Sequence, residues 1–369
     1  MEASAEKMMD LLRRASRPIR SLGRATVFFL KVFPMLPSRP VDWVTRPPLI
    51  ERVRYPTQSG NAEGEVYRPD SPGVHPGIVV CLGVVPFEVN HPQVPVLGRA
   101  LARAGFAALL YWSPAMRDFR LDPADIENIA LAYDWFIDQP YVNAGCSGLL
   151  GTCVGGSFAL MAAAHPLINQ RVAYLSAYAP YSSLWTFAKD IASGSVASDA
   201  GRRPWKVDPL TRKVFVHSLT ALLEAEEAAY LRRVFVDGKI SPESVNLSES
   251  AQKVAALLMA GGPEEAGAAL HSLPDEMQER LSAISPLSYV QNLQVPLMIL
   301  LHDRGDQVIP VGESQQLCAA LGSRKGVYYT EMQFSHLDPA KGKLPAWKLA
   351  REFFKFLAAV YRLFRHVVD

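Results

Sequence analysis

Cysteine is scarce in this chain, net charge is almost absent, and no hydrophobic run is long. Each shortage closes off a class of protein. Among 369 residues there are four cysteines (Cys81, Cys146, Cys153 and Cys318), well separated, with no C-x-x-C pair and no histidine at metal-ligand spacing. That argues against a disulfide scaffold or a zinc-binding module and predicts reduced thiols, as in the cytoplasm. A net charge of +2 provides no electrostatic footprint for nucleic acid. The apolar run Ala25-Thr26-Val27-Phe28-Phe29-Leu30 is far short of the roughly 20 residues a membrane-spanning helix needs. It also lacks the longer apolar core and small-residue cleavage site of a secretory signal. No internal repeat is visible. What remains, 49% apolar and 20% charged, describes a globular chain with a sizeable core. Its length suits one large α/β domain with an insertion, or two ordinary domains.

Residues 1–48 read as a basic, aromatic arm. Arg13, Arg14, Arg17, Arg20 and Arg24 precede the apolar run, and Lys31-Val32-Phe33-Pro34-Met35-Leu36-Pro37 follows it. Two readings stand side by side. The arm lies on an anionic membrane surface, making the protein peripheral there, or it packs over the domain or closes a homodimer.

From Ile50 onward the pattern alternates between strands and helices. Residues 50–55 and 64–69 read as a strand pair, and 77–83 as a continuous apolar run of the kind buried on both faces. A loop over 84–93 leads to a helix near 96–103 and a second buried strand at 106–112. Asp122-Pro123 opens another helix running to 137, with Asp122 at the N-cap. After a third strand and its helix, residues 171–178 make a fourth. This rhythm implies a mostly parallel sheet with helices on both faces, spanning residues 49–181 and 286–369. Between them, 182–285 is mostly helical, with helical patterns at 218–235, 248–260 and 263–284, and reads as a lid inserted over one sheet edge. Strands at 295–302 and 327–331, a helix around 311–321 and an aromatic-rich helix over 345–368 complete the chain.

The most telling stretch is Gly151-Thr152-Cys153-Val154-Gly155-Gly156, between an apolar strand and a helix. The spacing Gly-x-Cys-x-Gly is that of a nucleophile elbow with cysteine in the usual serine position. A nucleophile in a tight strand-to-helix turn needs flanks without side chains. The helix behind it points N–H groups and its positive dipole end at the sulfur, which favours a thiolate. A small core cysteine in an ordinary turn is the other reading of the same residues.

A thiol nucleophile needs a base, and the base an orienting acid. His336 follows the last strand directly, in Gln333-Phe334-Ser335-His336-Leu337-Asp338, with His302 as second choice at another strand end. His165, His217 and His271 sit in helical contexts and read as surface or packing residues. In His302-Asp303-Arg304-Gly305-Asp306, Asp306 is placed to reach the histidine loop, and Asp303 to cap the turn.

The order nucleophile, acid, histidine, each just past a strand, resembles the α/β-hydrolase superfamily and, within it, the dienelactone-hydrolase-like group with its Cys–His–Asp triad. The resemblance covers about 51–360 and is most specific at Gly151–Gly156, at Asp306–Pro310 and at His336. It implies an α/β-hydrolase fold with a helical lid. Cys153 would be the nucleophile, His336 the base and Asp306 its orienter, with Val154 and Val84 N–H groups as the oxyanion hole. Glu88 stands in the region where that group carries a cysteine-pairing glutamate. The family's His-Gly before the oxyanion loop is here Leu82-Gly83. The implied reaction is cleavage of an ester, lactone or thioester through a cysteine acyl-enzyme, on a small-molecule acyl substrate, with no cofactor and no metal. An acyltransferase using the same intermediate, or a non-catalytic binding protein on the same fold, are the alternatives.

Overall fold

The computed structural model describes the chain except residues 1, 34, 85–93, 199–200, 239–245, 335–343 and 368–369, with side chains described from residue 16. Two helices come first, α1 (Glu2–Val32) and α2 (Arg39–Val44). The antiparallel pair β1 (Leu49–Thr57) and β2 (Gly60–Arg68) follows. Next are β3 (His75–Cys81), α3 (Val94–Arg103), β4 (Ala107–Tyr111), the short α4 (Pro114–Arg117) and α5 (Ala124–Ile137). They lead to β5 (Val142–Thr152), α6 (Val154–Ala163) and β6 (Tyr174–Tyr178). An insertion then runs through α7 (Leu184–Ser193), β7 (Ser195–Ser198), β8 (Gly201–Pro204), α8 (Pro209–Leu219), α9 (Ala225–Phe235), α10 (Glu249–Leu258), α11 (Pro263–Ser272) and α12 (Asp275–Ala283). The core resumes with β9 (Leu297–Asp303), α13 (Val311–Leu321), β10 (Val327–Met332) and α14 (Ala346–Val367).

Eight strands form one sheet in the order β1-β2-β4-β3-β5-β6-β9-β10, parallel from β4 to β10, while β7 and β8 pair separately. The inner strands are mostly apolar and buried at their centres because both faces are covered there. Alternate residues divide between two cores, as the two-residue strand period requires. Val79, Leu109, Leu149, Leu175 and Leu300 face α5, α6 and the insertion. Ile78, Val80, Leu110 and Ile299 face α1, α3 and α14.

The N-terminal arm is part of that second layer. Ala25 and Phe28 of its first helix and Phe33 just after it are buried, and Phe29 and Phe33 meet Phe353 of α14 edge-on at 5.2 and 5.1 Å. Such aromatic pairs add to simple area burial. Among the described residues, no helix is long and apolar enough to cross a membrane.

The insertion departs from the sequence expectation in two ways. The helical stretches expected at 218–235 and 263–284 are each broken. One breaks at the 3-10 turn Thr220–Leu222, the other at Leu273-Pro274, where proline lacks an N–H and disfavours a helical residue before it. A β-hairpin, β7–β8, also stands in an insertion expected to be mostly helical, where no strand was expected. Its Ser, Ala and Arg residues carry little strand preference, so the pattern was silent.

Glu313 of α13 holds the start of the insertion. Wholly buried, it accepts from Ser182 N (2.8 Å), Ser182 Oγ (2.6 Å), Ser183 N (3.2 Å) and Thr186 Oγ1 (2.8 Å). Burial pushes its carboxyl pKa up, and the four donors act against that rise. Glu313→Ala would leave two buried N–H groups without this acceptor. Urea unfolding should show a loss of about 2–4 kcal/mol, and limited proteolysis should cut first near the beginning of α7. An unchanged midpoint would mean that the insertion is held elsewhere.

Candidate active site

Strand β5 stops at Thr152 and α6 starts at Val154, which leaves Cys153 alone to make the turn. Its backbone sits at φ 54°, ψ −136°, a conformation that L-residues rarely adopt. Local bonds hold it there. Cys153 N donates to Tyr178 O at 2.7 Å, Gly156 N donates to Cys153 O at 2.9 Å, and Thr152 Oγ1 donates to Leu82 O at 2.8 Å. The flanking glycines are sterically required. A Cβ on Gly151 would lie 2.5 Å from Gly155 O, and one on Gly155 only 2.3 Å from Cys81 O. The spacing read from the sequence is therefore a real constraint of backbone on backbone.

Half-buried Cys153 opens onto a slim, almost wholly apolar cavity of about 60 Å³. The insertion supplies much of the wall, including Phe187, Val214, Phe215 and Met277. Val84 and Val154 line the same space beside Cys153. The tight loop that delivers Val84 passes through Gly83, whose φ of 77° suits glycine alone.

The acid loop reaches the cavity from β9. Asp306 is buried, and its Oδ1 accepts from Val308 N (2.7 Å) and Ile309 N (3.1 Å). Those bonds set Val308 and Ile309 into the cavity wall. The nucleophile turn and the Asp306 loop thus share one space, at the C-terminal edge of the sheet. Asp303 does cap its turn, accepting from Gly305 N at 2.8 Å, and its other oxygen accepts from Phe334 N. That second bond fixes the chain two residues before His336. His336 and Glu88 lie outside the described residues.

His302, the second-choice base, is wholly buried with both ring nitrogens engaged. Nδ1 lies 2.6 Å from Ser314 Oγ, and Nε2 lies 2.9 Å from Ile309 O and 3.7 Å from Asp306 Oδ2. It braces the acid loop from beneath. Sequence reasoning missed Tyr181. Buried and stacked on Phe187 at 5.9 Å, it donates to Ile284 O at 2.8 Å, and its pKa is raised well above the ordinary value by burial, then by Glu313 and by Cys153. Only its position just after a strand could have drawn attention to it. Ala179, also just past β6, has a positive φ of 50°. Two of the three non-glycine residues with positive φ among those described therefore lie on this edge.

No protein-family model matches the chain, and no curated protein matches it in sequence. Solved structures do. A 2,6-dihydroxy-pseudo-oxynicotine hydrolase matches with a TM-score of 0.53 at 14% identity, over 86% of this chain and 68% of that one. The α/β hydrolase GrgF from Penicillium sp. sh18 matches at 0.49 and 17% identity, over 85% of this chain and 99% of that one. An acylaminoacyl peptidase from Pyrococcus horikoshii matches at 0.49 and 15% identity, over 84% of this chain but only 41% of the peptidase. With the sheet order described above, the first of these likenesses shows the α/β-hydrolase fold.

The elbow yields a direct test. Gly155→Ala should cost more than about 3 kcal/mol in urea unfolding or prevent folding, because backbone must shift to admit the methyl group. A variant as stable as wild type would show that the turn tolerates a side chain.

Proposed function

We propose that the protein is a hydrolase that cleaves an ester, lactone or thioester through a cysteine acyl-enzyme, in the manner of the dienelactone-hydrolase-like group. The observation that carries this reading is the strained turn that presents Cys153 at the head of α6, facing an apolar cavity. Maintaining such a turn costs on the order of 1–3 kcal/mol, which an inert core cysteine would have no use for.

In this mechanism the Cys153 thiolate attacks the substrate carbonyl, and the oxyanion is met by the N–H groups of Val154 and Val84. His336, oriented by Asp306, holds the thiol proton and delivers it to the departing alcohol or thiol as the carbonyl–leaving-group bond breaks. A water molecule then gives its proton to His336 and attacks the thioester, which releases the acid and restores the thiol. The cavity takes the acyl group. Its apolar walls suit a hydrocarbon or aromatic chain, and the helical insertion acts as the lid.

Intact mass spectrometry after mixing with p-nitrophenyl esters and acyl thioesters of graded chain length is the decisive experiment. Wild type should give a burst and an acyl adduct on Cys153. Cys153→Ala should give neither, and His336→Ala should lower turnover about a thousandfold or more. An adduct that forms and persists would favour the acyltransferase. Absence of any adduct across the series would point instead to a binding protein. A second variant tests the acyl cavity: Val214→Phe should fill it and lower kcat/KM for the longer chains by about tenfold or more, with short chains little affected. Equal losses at every length would place the acyl chain elsewhere.

A further inference from the structure

On the opposite face of α8 lies a second, larger and open cavity of about 500 Å³. Its lining is Arg117, Asp118, Phe119, Arg120, Lys213, His217, Ala221 and Arg232. Four permanent cations thus converge from three separate parts of the chain. Lys213 and His217, one helical turn apart, share this face of α8, while Val214, Phe215, Ser218 and Leu219 face the acyl cavity. Beside α8 the segment after Arg120 is tied in place: Leu121 N donates to Ser218 Oγ at 3.0 Å, and Arg280 donates to Leu121 O and Asp122 Oδ2, both at 3.1 Å.

The local acids only partly offset these cations. Asp118 is exposed, and Asp122 is divided between Arg120 at 3.4 Å and Arg280. Asp237 is the carboxylate that acts on His217, and Asp118 acts on it through its backbone. The basic groups also oppose one another. His217 is held below its usual pKa by burial, then by Arg232 and Lys213, and Arg232 is lowered by burial and Arg120. The floor is strained as well. Phe119 sits at φ 58°, the third positive-φ residue that is not glycine, with its ring under Lys213 Nζ at 3.3 Å and 6.0 Å from the His217 ring. Arg120, Lys213 and Arg232, half-buried, and Arg117, exposed at the rim, surround a concave space over a strained aromatic floor, a site in which an anion replaces mutual repulsion with paired charge.

We propose that this pocket binds the phosphate groups of a phosphorylated ligand. Two sources share that chemistry, the phosphate-bearing carrier of an acyl thioester substrate and a separate phosphorylated effector. Only the first rests on the function proposed above.

The test begins with binding rather than turnover. Inorganic pyrophosphate is titrated calorimetrically into full-length Cys153→Ala protein at fixed ionic strength. Saturable 1:1 binding is expected, weakened about tenfold or more by Lys213→Gln and further by Lys213→Gln with Arg232→Gln. Lys213→Arg, which keeps the charge, should retain it. Melting curves confirm that each variant is folded. Binding that is absent, or equal in all variants, overturns the proposal whether or not the protein is a hydrolase. The source follows from kinetics with Cys153 intact. A rise in KM for acyl-coenzyme A in the double variant, without one for the matching N-acetylcysteamine thioester, assigns the phosphate to the substrate's carrier. Loss of pyrophosphate binding with neither KM changed assigns the site to a separate effector.

Discussion

The close approach of three backbone segments at Cys153 is the constraint on which the functional edge depends. The end of β5, the head of α6 and the loop after β3 meet so tightly that no Cβ fits at Gly151 or Gly155. Cys153 must then take a positive φ to let the chain reverse from strand to helix. The strain is local, but the restraints come from several elements: Tyr178 of β6 accepts from the cysteine N–H, and Leu82 accepts from the neighbouring threonine. A conformation that costs energy persists where its surroundings over-determine it.

Buried carboxylates do the same for the loops around it. Asp303 at the end of β9, Asp306 beyond it, Glu313 on α13 and Asp125 on α5 all accept hydrogen bonds from chain segments that leave the sheet at this edge. Asp125 takes the Tyr111 hydroxyl at 2.8 Å and the Ser113 hydroxyl, and so holds the exit from β4 that leads to the basic pocket. For Glu313 and Asp125 burial is the largest influence and raises the pKa. Satisfied acceptors of this kind fix loop geometry more than they add net stability. Precise loop placement is what a site built from strand ends requires.

Helix α8 joins the two cavities. Its apolar face closes the narrow space over Cys153, and its basic face borders the open pocket. A shift of this one helix would alter both. Glu313, by clamping the turn into the insertion, sets where its helices begin.

Much of this was legible in the chain itself. Apolar runs bounded by turn residues identified the buried strands, because burial on both faces leaves few other compositions. Gly151, Cys153 and Gly155 announced the elbow, since steric exclusion by neighbouring backbone acts at fixed sequence spacing. Asp306 lies past a strand end, as its place in the sequence suggested, for a similar reason: its bonds run to N–H groups two and three residues away. What the residues could not reveal depends on long-range packing. The burial of the N-terminal helix against α14 joins the two ends of the chain. The clamp at Glu313 and the convergence of Arg117, Arg120, Lys213 and Arg232 each need partners far apart in sequence. Local pattern encodes backbone shape and which face is apolar. Where charges and apolar walls meet is decided only when the insertion folds back over the sheet.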